Sequence, residues 1–139
     1  RFPVLDDVVF KAVAENPDIQ FHIFLPPYSH LYYASLNQDE YTRLMQMRRY
    51  LAMRSDIFPN ARFYAFDLLD EIPTADLNRY KDKGHYHPDV NRQMVMYIKD
   101  GKGQLTPANI DRHIRILHSR IQDYGRKMQG KSPFHENGS

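Results

Sequence analysis

Asp82 stands three residues before His85 in the run Tyr80-Lys81-Asp82-Lys83-Gly84-His85-Tyr86. On a loop, an aspartate at that spacing can turn back so that its carboxylate accepts the proton of imidazole Nδ1. Nε2 is then free to act as a base toward a hydroxyl. Gly84 is expected to ease the turn. Asp and His at this spacing are common on protein surfaces, but here they precede His87-Pro88-Asp89, where a proline opens a helix with an acid in its first turn. A second cluster, Pro26-Pro27-Tyr28-Ser29-His30, follows an apolar run. Ser29 with His30 makes a poor nucleophile and base, because adjacent side chains diverge and a serine after Pro-Pro-Tyr suits a turn or a cap. Asp82, His85 and His87 have the chemistry to hold zinc, but a competent site needs three or four ligands and His87 is accounted for as the residue leading into the helix. His113 and His118 are five apart, a poor match to the spacing that puts two ligands on one helix face. No metal and no other cofactor is expected.

In open α/β sheets, reacting groups gather in loops beyond the carboxyl ends of the strands, so both clusters need strands behind them. Leu5, Val8, Val9, Ala12 and Val13 recur at helical spacing and predict an amphipathic helix over 4–15, stopped by Asn16-Pro17-Asp18. Phe21-His22-Ile23-Phe24-Leu25 has one polar residue and reads as a strand buried on both faces. A helix over 39–54 follows, with Leu44, Met47 and Leu51 inward and Arg43, Arg48, Arg49 and Arg54 toward solvent. Ala61 to Phe66 forms a second strand, and strand, helix and strand together make a parallel crossover unit. Residues 67–86 read as loop, with a short helical start near Pro73-Thr74-Ala75-Asp76. Val90, Met94 and Ile98 line the next helix, and Asp100-Gly101-Lys102-Gly103 breaks the chain. Thr106-Pro107 is expected to cap a final helix to about residue 128, with Ile110, Ile114, Leu117, Ile121, Tyr124 and Met128 along a narrow apolar seam.

Composition sets the outer limits. A chain of 139 residues with 42% hydrophobic content suffices for one globular domain. Nineteen Lys and Arg against seventeen Asp and Glu leave a formal charge of only +2, so the basic positions of the last helix (Arg112, Arg115, Arg120, Arg126 and Lys127) read as a solvated face and no nucleic-acid partner is expected. The absence of cysteine excludes a disulfide framework, a thiolate nucleophile and cysteine-ligated zinc. No stretch approaches the apolar length of a membrane span. The start at Arg1-Phe2-Pro3 carries no charged and then apolar leader, and a trimmed piece with any targeting signal upstream is the expectation.

Two strands do not make a stable sheet. A first strand buried on both faces needs helices above and below and a strand on each side, and the chain provides one neighbour. Either further strands lie upstream in the natural protein, or a second copy of the chain completes the sheet.

The phrases Phe24-Leu25-Pro26-Pro27-Tyr28-Ser29 and Tyr80-Lys81-Asp82-Lys83-Gly84-His85-Tyr86, with the helix at 39–54 and the strand at 61–66 between them, resemble the SGNH or GDSL hydrolases. They are most similar to the divergent bacterial branch found with surface-polysaccharide genes. The resemblance covers roughly residues 4–100. It implies an α/β, three-layer flavodoxin-like parallel sheet in partial form, with residues 1–104 as the C-terminal portion of the domain; beyond the resemblance, the residues themselves read as a long C-terminal helix over 105–129 and a flexible tail over 130–139. The resemblance implies Asp82 as the orienting acid and His85 as the general base, with Tyr28, Ser29 and Tyr86 toward substrate. The activity implied is that of a serine esterase or O-acyltransferase on an acylated sugar or polysaccharide, without a cofactor, in an extracytoplasmic or envelope-associated bacterial setting. The family's serine, in a Gly-Asp-Ser-like turn, and the other oxyanion-hole residues have no counterpart here, so the chain alone is expected to be inert. The alternative is a non-catalytic interaction or assembly domain that oligomerises through its C-terminal helix or a sheet edge.

Overall fold

In a computed structural model, residues 1–129 are described, and the expected tail at 130–139 lies outside them. The chain is a mixed α/β domain around a small sheet of three strands in the order β1-β2-β3. Strand β1 (Phe21–Leu25) and strand β2 (Ala61–Ala65) pair in parallel, with Phe21 opposite Ala61 and Leu25 opposite Ala65. Between them run the short helix α2 (His30–Ala34) and the long helix α3 (Gln38–Arg54). Asn37 starts α3 with a reciprocal cap: its side chain accepts from Glu40 N–H at 2.9 Å, and the Glu40 carboxylate accepts from Asn37 N–H at 3.0 Å. Two of the orphan donors of a helix start are thereby satisfied.

A third strand, β3 (Gln104–Leu105), was not expected. It pairs antiparallel with β2 because the turn at Asp100-Gly101-Lys102-Gly103 reverses the chain instead of merely breaking it. Gly103 is required there. Its φ is +79°, and a Cβ would stand 2.8 Å from the Phe66 ring and 3.0 Å from Ala65 O. The same contact lets Ala65 N–H donate to Gly103 O at 2.9 Å.

Helices cover β2 from both sides. One core joins Phe10, Val13, Leu51 and Ala52 to Ala61, Phe63 and Ala65 of the strand, and another packs Val90, Met94 and Tyr97 of α4 (Pro88–Lys99) on Tyr64 and Phe66. Each large apolar side chain buried in these layers contributes about 1.5–3 kcal/mol relative to exposure. Residues before Asn16 are helical as expected, in the wider π form over Leu5–Phe10 and then as α1 (Lys11–Glu15).

Strand β1 departs from expectation. It alternates between half-buried Phe21, Ile23 and Leu25 and exposed His22 and Phe24, so it is not buried on both faces. α4 shields β2 and stops short of β1, whose second edge has no strand among the described residues. Phe24 is left 41% exposed.

The last helix, α5, spans Ile110–Met128 and begins later than the Thr106-Pro107 cap implied. Thr106 acts through its carbonyl, which accepts from Ile110 N–H at 3.1 Å, while Asn109 Oδ1 accepts from Thr106 N–H at 2.9 Å. The seam is turned inward on the chain's own helices: Leu117 and Ile121 are buried with Tyr33 of α2 and Met45 of α3. Arg120, expected in solvent, is half-buried and donates to Leu68 O at 3.2 Å. No helix among the described residues is long and apolar enough to cross a membrane.

Candidate active site

The carboxyl ends of β1 and β2 point their following loops to one side, as parallel strands must. After β1, Pro26-Pro27 ends the pairing, and Tyr28 and Ser29 lead into α2. Ser29 is fully buried and caps that helix: its Oγ accepts from Tyr32 N–H at 3.1 Å and donates to Lys83 O at 2.6 Å. The expectation that Ser29 faces substrate is thus corrected, because its hydroxyl is consumed inside the protein. What it does is tie the loop after β1 to the loop carrying Asp82. Tyr80 makes the reverse tie, its hydroxyl donating to Pro27 O at 2.6 Å, and burial pushes that phenol up so that it stays protonated.

His30 is turned inward as well. Its Nε2 stands 3.0 Å from Thr74 Oγ1, and burial chiefly lowers its pKa, which keeps the imidazole neutral. Asp76, near the expected helical start, accepts from Asn78 N–H and begins one 3₁₀ turn, Leu77–Arg79.

Residues 80–86 fold back on themselves. Tyr80 bridges Tyr86, and Lys81 N–H donates to His85 O at 2.7 Å. Asp82 Oδ1 accepts from both Gly84 N–H and His85 N–H at 2.9 Å, and Oδ2 lies 2.6 Å from His85 Nδ1. A carboxylate can only accept, so Nδ1 donates to it, and Nε2 is the ring nitrogen left without a partner among the described residues. The backbone bond from Gly84, with the His85 ring and the His85 N–H, holds Asp82 down to about 2. The turn needs no left-handed residue: Gly84 has no positive φ, and the Asp82 carboxylate makes the turn that Gly84 was expected to ease. The His85 side chain is 80% exposed, and among the described residues no hydroxyl bonds to it.

His85 and Asp82 line an open cavity of about 620 Å³ together with Tyr28, Tyr32, Lys83 and Tyr86. Tyr28 and Tyr32 stack with centroids 4.2 Å apart. Tyr28 and Tyr86 were expected near substrate; Tyr32 was not, because it lies inside α2 while Tyr28 precedes the cap, and no helical spacing relates the two.

Next to this cavity lies a polar cluster around Arg48, the one member of it that the helical spacing of 39–54 placed toward solvent. Arg48 is 3% exposed and grips the fully buried Asp67, Nη2 to Oδ2 at 2.5 Å and Nη1 to Oδ1 at 3.2 Å. Tyr33 OH donates to Asp67 Oδ2 at 2.8 Å and also meets Arg48 Nη2. His113 Nε2 stands 3.2 Å from Arg48 Nη1 and 3.5 Å from Asp67 Oδ1. One nitrogen cannot accept from the guanidinium and donate to the carboxylate at once, and the shorter contact to an obligate donor makes it the acceptor. Burial alone would raise Asp67, but the Arg48 charge outweighs it and holds the carboxyl well below the usual range. A signal existed: Met45, Arg48, Leu51 and Ala52 share one face of α3, and an arginine inside an apolar face needs a buried partner.

No third metal ligand joins Asp82 and His85; among the described residues no group of three His, Cys, Asp or Glu could hold an ion. His87 caps α4, its Nδ1 accepting from Asp89 N–H at 3.3 Å, and His118 meets Tyr41 OH at 2.8 Å. No protein-family model, curated protein or solved structure matches the chain.

Proposed function

We propose that this chain is the C-terminal part of an SGNH-type serine esterase or O-acyltransferase acting on acylated carbohydrate, built on a partial three-layer flavodoxin-like sheet. The observation that carries the proposal is the Asp82–His85 pair, with Nδ1 at 2.6 Å from the carboxylate and Nε2 free, at the rim of a cavity beyond the parallel strands. In this role Asp82 orients the ring and stabilises the imidazolium. His85 takes the proton from a serine hydroxyl, the serine oxygen attacks the acyl carbon, and His85 returns the proton to the departing sugar alkoxide. Water or a second sugar hydroxyl then attacks the acyl-enzyme with the same base.

The serine and its oxyanion donors come from strands that pair along the open side of β1. In a flavodoxin-like order of 2-1-3-4-5, β1 and β2 of this chain take the last two places and the free edge falls where strand 3 lies. The open edge also suits a second copy, which is the assembly alternative. Oligomerisation through α5 loses its support, because the apolar seam of α5 is covered by α2 and α3.

The test is ester hydrolysis by the longer natural protein, wild type against His85→Ala, with a small acetyl ester and an acetylated polysaccharide, alongside fluorophosphonate labelling. Activity and labelling that fall together with His85 uphold the proposal. Equal activity in both proteins, or none in either, overturns it.

A further inference from the structure

The cavity beside His85 has an unusual mixture of surfaces. Tyr28, Tyr32 and Tyr86 give it aromatic walls, yet the hydroxyls of all three, and the Asn91 amide, make no hydrogen bond among the described residues. Burial raises the pKa of both Tyr32 and Tyr86, so these phenols remain donors at neutral pH. The charges nearly cancel: Lys83 offsets Asp82, and the Lys83 ammonium is also 3.3 Å from Ser35 Oγ. A phosphate-rich ligand would need more cations than this. An acyl chain would offer the three phenols and the Asn91 amide no hydrogen-bond partner.

A sugar ring has the complementary chemistry. Its axial C–H groups form an apolar face that lies on an aromatic ring, and its rim of hydroxyls both donates and accepts, as phenols and carboxamides do. At about 620 Å³ the cavity is of ordinary ligand-binding size. We infer that Tyr32, stacked on Tyr28 and lining the cavity with Asn91, forms a carbohydrate subsite that holds the alcohol side of the substrate against His85. The inference rests on the reading of this cavity as a substrate site, but it commits to which residues hold the sugar and to the sugar side over the acyl side.

Binding separates it from catalysis. In the longer natural protein carrying His85→Ala, calorimetric titration with unacylated cellopentaose, chitopentaose and an oligouronate, and with octanoate as an acyl probe, reads the subsite without turnover. At least one saccharide binds with a submillimolar Kd. Tyr32→Ala weakens it by about tenfold or more, Tyr32→Phe by no more than about threefold, and Asn91→Ala by about threefold, the range expected for a lost stacking face and a lost hydrogen bond. Asn91 is exposed on the first turn of α4, so its substitution tests the site without disturbing the core. The inference is overturned if no saccharide binds at millimolar concentration, if binding ignores both Tyr32→Ala and Asn91→Ala, or if octanoate is the ligand whose binding Tyr32→Ala abolishes. Saccharide binding that depends on Tyr32 in a protein whose wild type hydrolyses no ester upholds the subsite while the esterase proposal fails. Hydrolysis that depends on His85 without saccharide binding does the reverse.

Discussion

Two aspartates, each paired with a basic side chain, mark opposite ends of the loop that follows β2. Asp67 opens it, fully buried and bonded by Arg48 and Tyr33. Asp82 is near its far end, about half exposed, with only His85 and two backbone N–H groups as partners. The chemistry of the pairs is alike and their surroundings are opposite. Inside, a carboxylate is stable only when every lone pair is met, so the cluster is rigid and has nothing left to offer a ligand. Outside, Asp82 is held by its turn and leaves one imidazole nitrogen unused. The buried pair anchors the loop; the exposed pair is available for reaction.

Substitutions can break that contrast. On the esterase proposal the largest effect expected is on turnover: in a longer protein that supplies the serine, Asp82→Asn removes the charged acceptor that fixes the His85 tautomer and lowers kcat by about 10⁴-fold, with a far smaller change in the melting transition than any change to the buried pair. Steady-state kinetics and a thermal melt on the same sample check both halves. Arg48→Met does the opposite. It strands a buried carboxylate and costs about 3–5 kcal/mol of stability, a large share of the about 5–15 kcal/mol of an ordinary domain. Urea unfolding measures it, and Arg48→Met combined with Asp67→Leu is expected to lose less than Arg48→Met alone.

Ser29→Ala lies between the two regions. It removes both the α2 cap and the bond to Lys83 O, and is expected to cost about 1–3 kcal/mol, with faster hydrogen exchange at the amides of Gly84 and His85.

Acid sharpens the comparison with the smallest perturbation. Both aspartates have folded pKa values below their unfolded ones, so each stabilises the fold above the unfolded value and loses that contribution as pH falls through the folded one. Carbon-detected NMR should find Asp82 titrating near about 2, moving upward toward an ordinary carboxyl in His85→Ala. Protonation of Asp82 is expected to loosen only its own turn, whereas protonation of Asp67 should accompany global unfolding.

How much of this was legible in the sequence varies with range. The strand, helix, strand unit and α4 followed from periodicity, proline and cap residues, all of which act within a few positions. The Asp82–His85 contact is also local, closed by a carboxylate that reaches two amides and a ring within three residues. Arg48 was misplaced because it was grouped with the other arginines of α3 and not with Met45, Leu51 and Ala52, whose face it shares; its partner Asp67, 19 residues away, was beyond the reach of that local pattern. Ser29 was assigned to substrate by the resemblance alone; its neighbours already read as a turn or cap, which it is, whereas its bond to Lys83 spans 54 residues and leaves no local trace. The burial of β1 was overstated because an apolar run says what a strand can tolerate, not whether α4 reaches it.

By itself, then, the sequence determined what short-range forces determine: where the chain turns, which stretches are helix or strand, and the pairing of Asp82 with His85. Tertiary structure alone decided that Arg48 meets Asp67, that β3 adds to β2, that α5 turns its seam inward, and that Tyr32 stacks beside the His85 cavity. Those contacts join residues far apart in the chain, and their stability comes from desolvation and packing that exist only once the layers have closed.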